Sequence, residues 1–135
     1  MRRSAIKINN LEMKENMVRT HRDLDVWKKS IDLVTLIYKY TAEYPKDEVY
    51  GLTSQIRRCA VSIPSNIAEG SARTTKKDFS HFLAIALGSV AELETQLIIS
   101  RNLNYLPEVV LDELMPELIS IRRMTLGLRK SINKE

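Results

Sequence analysis

Cysteine occurs once, at Cys59, so no intrachain disulfide can form, and a lone thiol fits a reducing, cytoplasmic setting. Histidine occurs twice, at His21 and His81. With one cysteine, these two cannot supply a four-ligand structural zinc set. A di-iron bundle site needs glutamates on separate helices and E-x-x-H patterns, and none is present. No serine, and not Cys59, has a visible histidine–carboxylate partner pattern for nucleophilic catalysis. Glu92 and Glu94 are two apart on one helix, so they do not face each other as an acid/base pair. We therefore expect no enzyme, no catalytic residue, no metal and no cofactor. No uninterrupted apolar run reaches the roughly 18 to 20 residues of a membrane span, so no membrane partner is expected. The start, "MRRSAIKINN", is basic without an apolar h-region, which argues against a secretory signal. Glycine and proline, four of each, are scarce enough to favour helices over a sheet sandwich.

What is present is helical periodicity and an uneven charge distribution. The net charge is +4 with a pI near 9.3. Residues 1–22 carry all of that excess: Arg2, Arg3, Lys7, Lys14, Arg19 and Arg22 against Glu12 and Glu15. They show no lasting period and read as a flexible basic arm. Met13 or Met17 could serve as the true start. Residues 23–132 read as one four-helix domain, and 133–135 as a tail.

The first helix is predicted over residues 25–44, capped by Asp23 or Asp25 and stopped by Pro45. Trp27, Ile31, Val34 and Tyr38 fall at helical spacing and read as its inward stripe. Val26, Leu33, Ile37, Tyr40 and Tyr44 form a second row. The second helix is predicted over 48–68, with Asp47 as cap and Leu52, Ile56, Cys59 or Ala60, Ile63 and Ile67 inward. The third begins near Thr75, whose "TKKD" is a short capping box, and reaches about residue 105. The fourth runs from 107 or 108 to about 132, with Leu111, Leu114, Leu118, Ile121, Met124 or Thr125, and Leu128 inward. Short links make successive helices antiparallel neighbours, so the expected fold is all-α, an up-down-up-down four-helix bundle.

"SIPSNIAEGSAR", residues 62–73, places Pro64 inside the second helix. It is not a phosphate loop, since the G-x-x-x-x-G-K-[ST] pattern is missing. Pro64 should bend the helix, Asn66 should satisfy a group freed by the proline, and Gly70 should cap the C-terminus. Glu69 and Arg73, four apart, can pair.

In this topology one end of the bundle collects Lys28, Lys29, Arg73, Lys76, Lys77, Arg129, Lys130 and Lys134. The other collects Glu43, Asp47, Glu48, Glu108, Asp112 and Glu113. The basic end suits phosphates, and Arg73, Lys76, Lys77, Arg129 and Lys130 are the expected nucleic-acid contacts. Without an exposed aromatic ladder, shape or phosphate would be read rather than sequence. The first and third helices carry more apolar residues than a lone bundle needs. Leu33, Ile37, Tyr40, Leu87, Ala91, Glu94 and Ile98 are thus expected to line a subunit contact. Glu94 would pair with Arg57, Arg58 or Arg101.

Three blocks carry a family resemblance: "LDVWKKSIDLV" (24–34), "IRRCAVSIPSNIAEGSAR" (56–73) and "FLAIALGSVAELETQLIISRNLNYL" (82–106). Within them Pro64, Asn66, Ile67, Glu69 and Gly70 match P-x-N-I-x-E-G, and Gly88, Ser89, Glu92 and Glu94 match G-S-x-x-E-x-E. The sequence resembles the bacterial four-helix-bundle family of 23S ribosomal RNA intervening-sequence proteins. That family is similar to the accessory proteins of diversity-generating retroelements, which form ring-like pentamers, bind nucleic acid and assist a reverse transcriptase. The resemblance implies a bundle and self-association, with a homopentamer as one form, and supplies no catalytic residues. The function expected from sequence is structured RNA or DNA binding through the basic end. The alternative is a protein–protein scaffold or accessory subunit without direct nucleic-acid binding.

Overall fold

The computed structural model describes residues 20–134, so the basic arm lies outside the described residues except for its last three positions, and so does Glu135. A short 3-10 turn, His21–Asp23, leads into α1 (Asp25–Thr41). A second turn, Lys46–Glu48, precedes α2 (Leu52–Ser71), followed by α3 (Lys76–Asn102) and α4 (Glu108–Lys134). Each helix packs on its sequence neighbours, and α1 closes the square against α4; α1 and α3 sit on one diagonal, their backbones apart. This is the expected up-down-up-down arrangement.

The core is built from one row per helix: Leu33 and Ile37 of α1, Ile56, Ile63 and Ile67 of α2, Leu83, Leu93 and Leu97 of α3, and Leu114, Leu118 and Ile121 of α4. In α1 the two apolar rows are therefore exchanged relative to expectation. Val26, Leu33 and Ile37 point inward, whereas Ile31 and Tyr38 are 38% and 43% exposed. The inward row is completed by Ser30 and Thr41, which look polar in sequence. Their hydroxyls donate to carbonyls of their own helix, Ser30 to Trp27 at 2.8 Å and Thr41 to Ile37 at 2.6 Å. Ser100 and Thr125 are buried the same way. A hydroxyl satisfied by the preceding turn costs little to bury.

This exchange corrects the expected subunit contact. Leu33 and Ile37 are buried core and cannot face a second chain. Ile98 packs against the same core, and the Tyr40 hydroxyl donates to Glu113 of α4 at 2.9 Å. Leu87 and Glu94 are half-buried, and only Ala91 of that set is exposed. Glu94 takes none of its three expected partners. Arg57 crosses to α1, donating to the Thr41 hydroxyl at 2.9 Å and lying 4.5 Å from the Tyr38 ring centroid. Arg101 pairs with Glu108 at 3.5 Å, and Arg58 opens onto the α1–α2 surface.

The helix ends also differ from expectation. Leu24, not an aspartate, is the α1 N-cap, and no side chain bonds there. α1 stops at Thr41, and 42–44 continue as hydrogen-bonded turns before Pro45. Gly51, at φ −109° and ψ −117°, lies outside the helical region and delays α2 to Leu52. Asn104, at φ 62°, ends α3 earlier than expected, since asparagine tolerates the left-handed conformation. Thr75 caps α3 as expected, its hydroxyl accepting from the Asp78 N–H at 3.1 Å.

α2 is continuous through the buried Pro64. The Asn66 amide donates to the Ser62 carbonyl at 2.7 Å. Gly70 is not a C-cap. The helix runs through it with negative φ, and Ala72 forms the cap. The glycine is required by close approach of α3. A β-carbon there would lie 2.8 Å from Phe82 Cβ and 3.0 Å from Phe79 Cδ1. Further along the α2–α3 contact, the Cys59 thiol donates to the Ser89 carbonyl at 3.0 Å, and the Ser62 and Ser89 hydroxyls are 2.6 Å apart. The two motifs P-x-N-I-x-E-G and G-S-x-x-E-x-E thus lie on the two helices that pack here.

Candidate nucleic-acid interface

The antiparallel packing of α3 and α4 brings the first turns of one against the last turns of the other. There Lys76, Lys77, Ser80, His81 and Arg129 line an open cleft of about 450 Å³. The lysines are exposed on the first turn of α3, just after the Thr75 cap. Arg129 reaches across from α4, its Nε donating to both the Ser80 carbonyl at 3.2 Å and the Ser80 hydroxyl at 3.0 Å. Those two bonds fix the guanidinium plane at the cleft wall. A phosphate entering the cleft would meet two ammonium groups and one oriented guanidinium, a set that offers charge and forked donors together.

Arg73 stands on the neighbouring turn between α2 and α3. It donates to Glu69 at 2.7 Å, the pairing expected from their spacing, and lies 4.9 Å from the Phe82 ring centroid. Part of its charge is therefore already compensated. Lys130 is exposed on α4 beside the cleft but does not line it. Lys29 is drawn away from this end by Glu117 of α4 at 3.1 Å. Of the five expected phosphate contacts, Lys76, Lys77 and Arg129 share one cleft, and Arg73 and Lys130 are not among its lining residues.

Sequence reading missed His81, Ser80 and Asn133 as lining residues. His81 was detectable, because it lies four residues after Lys77 and shares its helix face. Ser80 and Asn133 give no signal without the α3–α4 register.

The Cys59 thiol is pushed up to about 12, first by burial and then by the negative charge of Glu92. It is a packing residue, not a nucleophile. The hydrogen bond to Glu113 raises the Tyr40 hydroxyl, with smaller contributions from desolvation and from the carboxylate's charge. Among the described residues, no three of histidine, cysteine, aspartate and glutamate converge to hold a metal ion.

No curated protein matches the chain. Among solved structures it is similar to a protein of unknown function from the S23 ribosomal protein family of Bacteroides thetaiotaomicron. The two share 24% identity and a TM-score of 0.72, covering 78% of this chain and 95% of the other. That likeness establishes the fold. The sequence profile of a family described as 23S rRNA-intervening sequence protein matches residues 22–127, nearly the whole bundle, and the chain belongs to that family.

Proposed function

We propose that this protein is a non-enzymatic, self-associating helical bundle of the cytoplasm that binds structured RNA or DNA through its basic end. One observation carries the reading: Lys76 and Lys77 at the start of the α3–α4 hairpin and Arg129 near its end converge on one open cleft between α3 and α4. The cleft is open, and basic side chains stand beside Ala84 and Ile132 in its lining, which suits a phosphate backbone rather than an enclosed small ligand. The family description, tied to inserts in 23S rRNA, supports RNA as the first ligand to try. A ring of five subunits follows the resemblance to the retroelement accessory proteins.

The test is equilibrium binding of the full chain to structured RNA and to duplex DNA across a salt series. Replacing Arg73, Lys76 and Lys77 with alanine should weaken binding and flatten the salt slope. On duplex DNA each lost phosphate contact removes about 0.9 from that slope. Comparing full-length chains keeps the arm's charge constant. Unchanged affinity and slope would refute the assignment.

A second reading, a protein scaffold, has its own support in exposed apolar side chains: Tyr50 is 96% exposed and Val109 64%. Partner capture that survives nuclease treatment, with no salt-dependent nucleic-acid binding, would favour it.

A further inference from the structure

Charge is divided along α4. Residues 108–117 hold Glu108, Asp112, Glu113 and Glu117 and no basic side chain. Residues 118–134 hold Arg122, Arg123, Arg129, Lys130 and Lys134 and no acidic one. The helix dipole accounts for part of this pattern, since acids suit a first turn and bases a last turn. It does not account for Arg122 and Arg123. The dipole's influence fades within the terminal turn, and these two stand about three turns before the end of the helix. Ion pairing within the helix does not account for them either. The positions three and four residues away are Leu118, Ile119, Ser120, Thr125, Leu126 and Gly127, none of them acidic. Both arginines are exposed, and among the described residues neither forms an ion pair, a side-chain hydrogen bond or a ring contact. Lys29, Arg73 and Arg101, by contrast, are each held by a carboxylate.

Seven residues separate Arg122 from Arg129, and Arg123 from Lys130. That spacing returns to the same helix face with about 20° of drift and a rise of about 10.5 Å. Arg129 lines the α3–α4 cleft and is oriented there by Ser80. Arg122 thus lies on the cleft side of α4, two turns further from the end of the bundle. Gly127 falls between the two tiers, four residues after Arg123 and three before Lys130. It is exposed, and apart from the adjoining backbone of its own helix no atom lies within 4 Å of where its β-carbon would stand. Glycine inside a helix is unfavourable relative to alanine, and no close contact within the described residues requires one here. It leaves bare backbone between the tiers, which a ligand can approach closely.

We propose that a nucleic-acid duplex lies lengthwise along the C-terminal half of α4, its phosphates meeting Arg129 and Lys130 in one tier and Arg122 and Arg123 in the next. This path rests on the nucleic-acid binding proposed above and gives it a direction and two further contact residues. Phosphates of one strand follow each other about every 3.4 Å along a duplex axis, so tiers about 10.5 Å apart match about three base steps. Arginine suits such contacts because its planar fork offers paired donors to phosphate oxygens. A duplex laid across the end of the bundle would meet the cleft tier alone and leave Arg122 and Arg123 without a role. The acidic first half of α4 repels the backbone beyond the second tier, which sets the length of the track.

The test uses the full chain in three double variants. Arg122→Ala with Arg123→Ala removes the second tier, and Arg122→Lys with Arg123→Lys keeps its charge. Lys39→Ala with Lys46→Ala removes equal charge from exposed positions at the far end of the bundle. Each is titrated across a salt series with one mixed-sequence duplex, prepared as DNA and as RNA. On duplex DNA the alanine pair at 122 and 123 should lower the salt slope by about 1.8, two contacts at about 0.9 each, and weaken binding near 0.1 M salt by about tenfold or more. The lysine pair and the far-end pair should keep the parent slope. Replacing Arg73, Lys76 and Lys77 with alanine separates the two failures. If that variant flattens the slope and the α4 alanine pair does not, the lengthwise path is overturned and nucleic-acid binding stands. A parent chain with no salt-dependent binding overturns both. A far-end pair that flattens the slope as much as the α4 pair shows a response to total charge, and also overturns the path.

Discussion

Gly70→Ala isolates what the central motif does for the fold. At an ordinary helical position, exchanging glycine for alanine stabilises by about 1 kcal/mol, because alanine loses less backbone entropy. Here the added methyl would sit 2.8 Å from Phe82 Cβ, 3.0 Å from Phe79 Cδ1 and 3.3 Å from the Phe79 carbonyl oxygen. The Phe79 ring can turn aside. Phe82 Cβ and the Phe79 carbonyl belong to the body of α3 and move only if the helix moves. Overpacking of this kind costs about 1–3 kcal/mol, so the net expectation is a loss of about 1–2 kcal/mol. Gly127 provides the control, since apart from the adjoining backbone of its own helix no atom lies within 4 Å of a β-carbon there. Gly127→Ala should gain about 0.5–1 kcal/mol. Urea unfolding followed by far-UV circular dichroism, at one fixed protein concentration, measures both variants. For a chain of this size each kcal/mol moves the thermal midpoint by about 3–6 °C. If Gly70→Ala were as stable as the parent chain, or tracked Gly127→Ala, the close-approach argument would be wrong.

Leu93→Ala, at the fully buried centre of α3, should cost about 2–5 kcal/mol in the same urea assay. Thr75→Ala removes the bond to the Asp78 N–H and should cost about 1 kcal/mol, with Thr75→Ser retaining most of it. Native Cys59 should resist thiol reagents at pH 8, where a group at about 12 is thiolate in about one molecule in ten thousand; rapid stoichiometric labelling of the folded chain would contradict this. The same shift has a pH signature. The folded state holds the Cys59 proton more tightly than the unfolded chain, so its contribution is complete below the unfolded value near 8.5. It is then lost, at up to about 1.4 kcal/mol per pH unit, as pH rises towards 12. Cys59→Ser should flatten that part of the stability–pH curve, and an identical slope in both chains would rule the effect out.

The helix count and topology were legible because four apolar periodicities are separated by short links. What was not legible has local causes. α1 holds two apolar rows at the same spacing, and periodicity alone cannot rank them. The row with Trp27, Ile31, Val34 and Tyr38 repeats without a polar break, but the row completed by Ser30 and Thr41 is the buried one. Hydroxyls that bond back along their own helix hide core positions from a hydropathy reading. Gly70 carried a strong signal with two meanings, a left-handed cap or a close approach. Only the position of Phe79 and Phe82 decides between them. The basic end was visible as a list of lysines and arginines. Its division into a shared cleft, the Glu69-paired Arg73 and the Glu117-paired Lys29 depends on which side chains the packing brings within reach.

The opposed charged ends have a kinetic consequence. Residues 23–135 carry equal numbers of acidic and basic side chains, so the bundle offers a polyanion almost no net charge to attract. It offers a dipole instead. A dipole's pull weakens faster with distance than a monopole's, and salt confines it to about 8–10 Å around the surface. At that range the field acts chiefly as a torque, turning the bundle so that the lysines lead and the carboxylates around Glu43 and Glu108 trail. Orientation, rather than capture radius, is what the charge distribution of the bundle contributes to an encounter, and the trailing acidic end is left facing the solvent on the far side.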